Sequence, residues 1–288
     1  MRAFVAVTDN DWFDFLSSQP DLDEVNFWTP SGKPLANLSV GAPVLFKLHA
    51  PLNFVTGGGF FAHFSLLPAS LAWETFREKN GAESLGQMRE RIGRYRREVL
   101  DPHLDYHVGC AILVEPFFLD RRDWISVPRD FSLNVVRGKS YDLTKSPGRD
   151  LWEEVLARRR GARRVSEAAH PPMFGDAVPV RPRLGPGAFR VLVTDTYRRR
   201  CAVTREKALP VLEAAHIRPV AEGGRHEVEN GLLLRSDLHR LFDRGYVTVT
   251  PDYRVRVSSR LRDDFDNGEH YLQMNESSLW LPSQPEKR

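Results

Sequence analysis

Three histidines and two aspartates lie within one short stretch of a chain that has 9 histidines among 288 residues. The stretch reads LEAAHIRPVAEGGRHEVENGLLLRSDLHRLFDRG and runs from residue 212 to residue 245. A histidine can take a proton from water, and an imidazole that shares one helix face with a carboxylate can bind a divalent cation. His216 is therefore a candidate general base, and His239 with Asp243 is a candidate metal-binding pair.

These are the groups that hydrolysis of a phosphodiester requires, together with a water molecule as the nucleophile. Asn230 lies between the two histidines, and its side-chain amide can bind the loop backbone or fix the tautomer of the base. His226, in the loop, is expected to face solvent. Three arginines of the stretch are expected to contact phosphates, because arginine cannot act as a base: Arg218, Arg225 and Arg235.

The elements that would position these residues are a strand, a loop, a second strand and a helix. LPVLEAAHI predicts an apolar strand ending at His216, and GLLL enters the second strand. Gly223 and Gly224 allow a tight turn in the loop. Ser236 is the expected N-cap of the helix DLHRLFD, and Gly245 is expected just after its last residue.

His216, Asn230 and His239, in this order and in these elements, resemble the His-Asn-His motif of the HNH nuclease family. The family fold is two strands and a helix around one metal ion, and the resemblance covers residues 200–250. It implies that His216 is the base, Asn230 the orienting residue and His239 a metal ligand. The implied cofactor is a divalent metal ion, Mg²⁺ or alternatively Mn²⁺ or Ni²⁺.

One position departs from the family pattern. Many members carry a metal-binding residue directly before the base, where this chain has Ala215. Glu213 lies on the same face of the strand as Ala215 and is expected to serve as the missing ligand.

The rest of the chain predicts an α+β protein with two domains joined by a linker. Residues 1–160 form a β-rich domain, residues 161–187 a basic linker rich in Pro and Gly, and residues 188–288 the nuclease domain. Residues 151–200 contain 11 arginines and 5 acidic residues, although the whole chain has a net charge of only +3. Clustered arginine can neutralise phosphates, with a solvated linker as the alternative.

Apolar runs bounded by turn residues predict the strands of the first domain. Amphipathic stretches predict its helices, and further helices are expected in the nuclease domain. The strands are AFVAVT, APVLFKLH, FVTGGGFFAHFSLL, CAILVEPFFL and FSLNVVRG, and the first helix is NDWFDFLSSQ. SLAWETFREKNG and SLGQMRERIGRYRREVL are the next helices, the latter with Ser84 as its N-cap. A helix over Ala188–Arg199 and a hairpin that turns at Pro251–Asp252 belong to the second domain.

NFWTPSG followed by the strand PVLFKL is similar to the EVE and YTH branch of the PUA-like superfamily. The resemblance implies a β-barrel with flanking helices, in which aromatic side chains hold a modified base rotated out of the duplex. Trp28, with Asn26 and Trp12 near it, is expected to form that cage. A tryptophan in a β-rich domain more often belongs to the core, which is the alternative for each.

The whole chain is thereby similar to type IV-like, modification-dependent restriction endonucleases, which cut double-stranded DNA containing 5-methylcytosine or 5-hydroxymethylcytosine. Because each HNH centre cuts one strand, a homodimer on DNA is expected. Two alternatives stay open: an HNH nuclease acting on unmodified DNA or RNA, and a non-catalytic reader of modified nucleic acid. No membrane span or signal peptide is expected, and Cys110 and Cys201 need not pair, which favours the bacterial cytoplasm.

Overall fold

The computed structural model describes residues 1–96, 101, 104–132, 134–166 and 183–282, with only the helical backbone described for residues 161–166. The chain divides into two compact units, Met1–Ala188 and Phe189–Arg288. No helix in the described residues is long and apolar enough to cross a membrane.

The first unit is built on a sheet of seven strands with four helices. The strands are β1 (Arg2–Thr8), β2 (Glu24–Thr29), β3 (Pro43–Leu48), β4 (Phe54–Pro68), β5 (His107–Phe118), β6 (Ile125–Ser126) and β7 (Gly138–Asp142). The helices are α1 (Asn10–Ser17), α2 (Ala69–Phe76), α3 (Leu85–Arg96) and α4 (Gly148–Ser166). The strand order is β2-β5-β4-β3-β1-β7, with β6 paired to β4, and β1 and β3 are the parallel neighbours in it. The predicted α+β class is confirmed.

The predicted β-barrel is not confirmed. The sheet path ends at β2 on one side and β7 on the other, and these strands do not pair in the described residues, so the sheet is not closed. The sheet is nevertheless strongly curved. Phe27 of β2 stacks on Phe46 of β3 with 6.1 Å between ring centroids, although β5 and β4 lie between these strands in the hydrogen-bonding order.

Glycines in β4 allow this curvature. The register of β4 against β5 shifts between Gly58 and Phe60, which marks a bulge that bends the strand. At Gly57 a Cβ atom would collide with the backbone oxygen of Phe117 on β5. Only glycine therefore lets the two backbones approach this closely.

Most predicted elements of the first unit are present. The cap of α3 is confirmed, because Ser84 Oγ accepts from the Gln87 N–H at 3.2 Å. The strand predicted for FSLNVVRG is wrong for the residues described there. The Phe131 and Val135 N–H groups close turns onto the carbonyls of Pro128 and Ser132, and β7 begins only at residue 138. At Phe131 and Val135 these turns therefore replace strand pairing.

The segment expected to be a linker contains helix at both ends. α4 continues through Ser166, so residues 161–166 are helical, and α5 (Pro186–Thr196) begins before residue 187. Residues 167–182 lie outside the described residues. The helix expected over residues 188–199 ends at Thr196, because Arg198 and Arg199 adopt φ values of 51° and 57°, outside the helical region.

The second unit contains two short hairpins and small helices around one core. Its elements are β8 (Leu212–His216), β9 (Gly231–Arg235), α6 (Ser236–Asp243), β10 (Val247–Val249), β11 (Val255–Val257), α7 (Arg260–Phe265) and α8 (Glu269–Leu272). β8 pairs antiparallel with β9, and β10 with β11. Phe189 and Val193 of α5, Leu233 of β9 and Leu238 of α6 are buried together in the core, as is Cys201.

The predicted order of strand, loop, strand and helix is confirmed, as is the hairpin. Gly223 has a φ of +85°, and Gly245 follows α6 with a φ of +73°, so both adopt the left-handed region that favours glycine. The N-cap predicted at Ser236 is wrong. Arg235 occupies the cap position, no side chain caps the helix, and Ser236 is the first helical residue.

Candidate functional site

His239, on α6, lies between two carboxylates, one at each ring nitrogen. Its Nδ1 is 2.7 Å from Glu213 Oε2 on β8. Its Nε2 is 3.4 Å from Asp243 Oδ2, one helical turn later. The side chain of His239 is largely buried, whereas that of Asp243 is 60% exposed, so Asp243 forms the open side of the group.

His216, the last residue of β8, is held on its face and at one edge. Its ring stacks on Phe189 with 4.1 Å between centroids and 11° between planes. Its Nε2 lies 3.0 Å from Nδ1 of His226. The expectation that His226 faces solvent is wrong, because that side chain is half-buried and bonds to His216.

The electrostatic surroundings of His216 connect it with α6. Burial lowers the pKa of His216 first, and positive charge on His226 and His239 lowers this pKa further, while Asp243 opposes them. Charges on α6 therefore contribute to the pKa of a ring on β8. A lowered pKa keeps the His216 imidazole neutral at neutral pH, which is the form that accepts a proton.

Asn230 fastens the loop that carries His226. Its Oδ1 accepts from the Arg218 N–H at 2.8 Å, and its Nδ2 donates to the carbonyls of Arg218 and Arg225, each at 3.0 Å. These bonds correspond to the first of the two roles expected from the sequence, which is holding the loop backbone. Asn230 therefore fixes the backbone two residues after His216 and one residue before His226.

The three arginines of this stretch differ in their surroundings. Arg218 and Arg225 have exposed side chains on the loop. Arg235 instead forms a two-pronged ion pair with Asp237, with both N–O distances at 2.7 Å. That hydrogen bonding, with help from Tyr271, lowers the pKa of Asp237 to about 2. Arg235 thus braces the first turn of α6.

The donor atoms around His239 suit a divalent cation, although no three His, Cys, Asp or Glu side chains of the described residues form a closed ligand group. Two ligands that each lie about 2.1 Å from one octahedral cation are about 3 Å apart. The 3.4 Å between His239 Nε2 and Asp243 Oδ2 is close to that separation. Glu213, on the other ring nitrogen, is placed to fix the tautomer that leaves Nε2 available.

Residues 201–250 match the model of an HNH endonuclease family. The HNH domain therefore contains β8, the loop with Asn230, β9 and α6, and with them His216, His239 and Asp243. An HNH endonuclease is a hydrolase that acts on phosphodiester bonds, which agrees with the chemistry expected from these residues.

The other comparisons are weaker. No curated protein sequence matches the chain. A solved structure, the type IV phosphorothioation-dependent restriction endonuclease ScoMcrA, is similar over 77% of this chain and 48% of its own, with 12% identity and a TM-score of 0.20. This chain spans about half the length of that structure, and such a TM-score does not establish a shared fold.

The first unit contains a second candidate site, a cavity of about 320 Å³. Trp28, Tyr95 and His49 line it with aromatic rings, and Asp9 contributes a carboxylate. Tyr95 lies 6.0 Å from Trp28 and 5.9 Å from His49 between ring centroids. Its hydroxyl donates to Asp9 at 2.6 Å, and burial and Asp9 together raise its pKa, so Tyr95 stays protonated.

The residues that the sequence suggested for a base cage lie in different places. Trp28 and Trp12 both line the cavity, although each is almost fully buried. Asn26 does not line it. Its Nδ2 donates to Asn80 Oδ1 at 2.8 Å and to Cys110 Sγ at 3.4 Å, which makes it part of the core. Its Oδ1 is buried without a partner among the described residues.

Sequence reasoning missed several residues of both sites. Asp9 follows β1, His49 follows β3 and Tyr95 lies on α3, so they are far apart in sequence and no local pattern links them. His226 carried a signal, since it is the third histidine within the same stretch as His216.

Proposed function

We propose that the protein is a metal-dependent endonuclease that cuts double-stranded DNA carrying 5-methylcytosine or 5-hydroxymethylcytosine. The observation that supports the nuclease most directly is that the residues matching the HNH family place His239 between the Glu213 and Asp243 carboxylates, with His216 at the end of the strand that carries Glu213. The aromatic cavity of the first unit supports the choice of a modified base as the target.

In the nuclease site, neutral His216 takes a proton from the water that attacks phosphorus. His239 Nε2 and Asp243 would hold the divalent cation, Mg²⁺, Mn²⁺ or Ni²⁺, and Glu213 would orient His239 through Nδ1. A cation bound there neutralises negative charge on the phosphate and on the leaving oxygen.

The loop between β8 and β9 would contact the DNA backbone. Arg218 and Arg225 expose guanidinium groups beside the His216–His226 contact, where they can bind phosphates. Arg235, although expected from the sequence to do the same, contributes by holding α6 through Asp237. The loop fastened by Asn230 keeps these groups in place.

The cavity in the first unit would receive a base rotated out of the duplex. Its volume lies at the lower end of the range of about 300–1,000 Å³ for small-molecule sites. Tyr95 offers an exposed ring for stacking beside Trp28. The Asp9 carboxylate, which already accepts from the Tyr95 hydroxyl and the Trp12 N–H, can accept a further hydrogen bond from the amino group of cytosine. The EVE/PUA-like reader is thus part of this proposal.

Two protomers would pair on DNA, because one HNH centre cuts one strand at a time. Analytical ultracentrifugation with and without modified DNA tests the pairing. A protein that stays monomeric on DNA and still makes double-strand breaks in one encounter would argue against it.

One plasmid prepared in three forms tests the proposed function: unmodified, 5-methylated and 5-hydroxymethylated at cytosine. We expect cleavage of the modified forms with a divalent ion, none with EDTA, and none by His216→Ala. Equal cleavage of all three forms would retain the nuclease and reject the modified base as its target. Binding of modified DNA without cleavage in any ion would favour the non-catalytic reader.

A further inference from the structure

We propose that His226 is a positioning residue for His216. His226 accepts a hydrogen bond from the Nε2–H of His216, and this leaves Nδ1 of His216 as the basic atom. The inference rests on the proposed role of His216 as the general base and adds a residue to that site. The observation that supports it is the distance of 3.0 Å between Nε2 of His216 and Nδ1 of His226.

A hydrogen bond between two imidazole nitrogens holds one proton, so two arrangements are possible. In the first, His216 Nε2–H donates to His226, and the lone pair of His216 is at Nδ1. In the second, His226 donates, and His216 carries its own proton at Nδ1. The second arrangement leaves His216 no lone pair for a proton from water, so only the first is compatible with a base.

The surroundings of both rings favour a fixed arrangement. Phe189 stacks on His216 and also lies 5.6 Å from the His226 ring, so both rings pack against one aromatic side chain. Asn230 binds the carbonyl of Arg225, the residue before His226, and so holds the loop at this point. His226 is therefore positioned before DNA arrives.

The proton transfer balances in this arrangement. The water loses one proton to His216 Nδ1, and its oxygen keeps the electron pair with which it attacks phosphorus. His216 becomes an imidazolium, whose Nε2–H still donates to His226. A hydrogen bond from a charged donor is stronger than one from a neutral donor, so His226 stabilises the protonated base.

The tautomer can be measured directly in the full-length protein without DNA. Nitrogen NMR of ¹⁵N-histidine protein at neutral pH separates protonated from bare ring nitrogens, and loss of signals in His216→Ala assigns them. We expect His216 to be protonated at Nε2 and bare at Nδ1, and His226→Ala to remove this single state. A His216 protonated at Nδ1 in the wild-type protein would overturn the inference.

Three variants at residue 226 give a kinetic test under single-turnover conditions. Asn offers an accepting amide oxygen, Ala offers no polar group, and Lys can only donate. We expect His226→Asn to cut fastest, His226→Ala to lose roughly tenfold to a hundredfold, as for other orienting partners, and His226→Lys to lose more. Asp263→Lys, an exposed charge reversal on α7 of the same unit, is the matched control and should cut normally.

Equal rates for the three variants would contradict the inference, because a merely structural contact does not distinguish donors from acceptors. The proposed function can fail separately from this inference. In that case the wild-type protein cuts no DNA, but NMR still shows which nitrogen of His216 carries the proton.

Discussion

Both ring nitrogens of His239 lie beside carboxylates, and the two contacts have different consequences. Glu213, at 2.7 Å from Nδ1, fixes the tautomer of the ring. Asp243, at 3.4 Å from Nε2, leaves a gap on the exposed side that a cation can fill. Ala215 is completely buried, whereas Glu213, two residues earlier on β8, places its carboxylate against His239 Nδ1.

This arrangement predicts that both carboxylates determine metal affinity. We expect Asp243→Asn and Glu213→Gln each to raise the metal concentration for half-maximal cleavage by about 10–100-fold. Titration of the single-turnover rate with Mg²⁺ or Mn²⁺ measures this. Asp263→Asn, an exposed change on α7, should leave the titration unchanged. If no cation binds at His239, both site variants would leave the titration unchanged as well.

A pH dependence follows from the lowered pKa of His216. Only the neutral ring accepts a proton, so the rate should fall as acid protonates it. Because burial is the largest influence on this pKa and lowers it, the midpoint should lie below the ordinary value of 6.5, even though a hydrogen bond to neutral His226 favours the protonated ring. Single-turnover rates at saturating metal, measured across a pH series, give this midpoint. A midpoint above 6.5 would contradict the lowering of the His216 pKa by burial.

At the scale of elements, the start of α6 depends on one ion pair instead of a side-chain cap. Arg235 binds Asp237 with two hydrogen bonds, and the Tyr271 hydroxyl donates to Asp237 at 3.0 Å. Since His239 lies two residues after Asp237, this brace helps to set its position relative to Glu213 on β8.

We predict that Asp237→Asn lowers the free energy of unfolding by about 1 kcal/mol at neutral pH, as expected for a partly exposed pair with good geometry. The folded-state pKa of about 2 lies below the ordinary 3.8, so the carboxylate stabilises the fold above pH 3.8. That stabilisation is lost as the pH falls towards 2. Urea unfolding of both proteins across this range checks it, and a difference that grows with acid would contradict the account.

Local sequence patterns predicted the elements of the HNH domain well, since each carries its own signal. The apolar run before His216 predicts β8, and Gly245, with its positive φ, marks the end of α6. Ser236 shows where this reasoning fails. A serine before an amphipathic run usually caps a helix, but here the Arg235–Asp237 pair moves the helix start by one residue.

At the scale of the whole first unit, one curved sheet brings distant residues to one cavity. Asp9 follows β1, Trp28 belongs to β2, His49 follows β3 and Tyr95 lies on α3. The sequence suggested Trp28 from a short motif, because its neighbours are visible in the chain. It could not suggest Tyr95 or His49, because only the curvature of the sheet makes them neighbours. Asn26 was misplaced for the same reason, since the strand turns its side chain into the core beside Asn80.

The cavity predicts a specific loss of binding. We expect Tyr95→Ala to weaken binding of DNA with modified cytosine by roughly tenfold to a hundredfold, since stacking on one aromatic side chain contributes about 1–3 kcal/mol. Fluorescence anisotropy with matched modified and unmodified duplexes measures the difference. Tyr253→Ala, an exposed tyrosine of the second unit, is the control. Equal loss on both duplexes would mean that the cavity does not read the modification.

The most direct test of the account is the single-turnover cleavage rate of His216→Ala, His239→Ala and the double variant, compared with the wild-type protein at saturating divalent ion. If the two imidazoles serve one reaction, each single variant loses nearly all activity and the double variant is little worse, since residues that act as a unit are strongly non-additive. Single variants that cut within a few-fold of the wild-type rate would contradict the account.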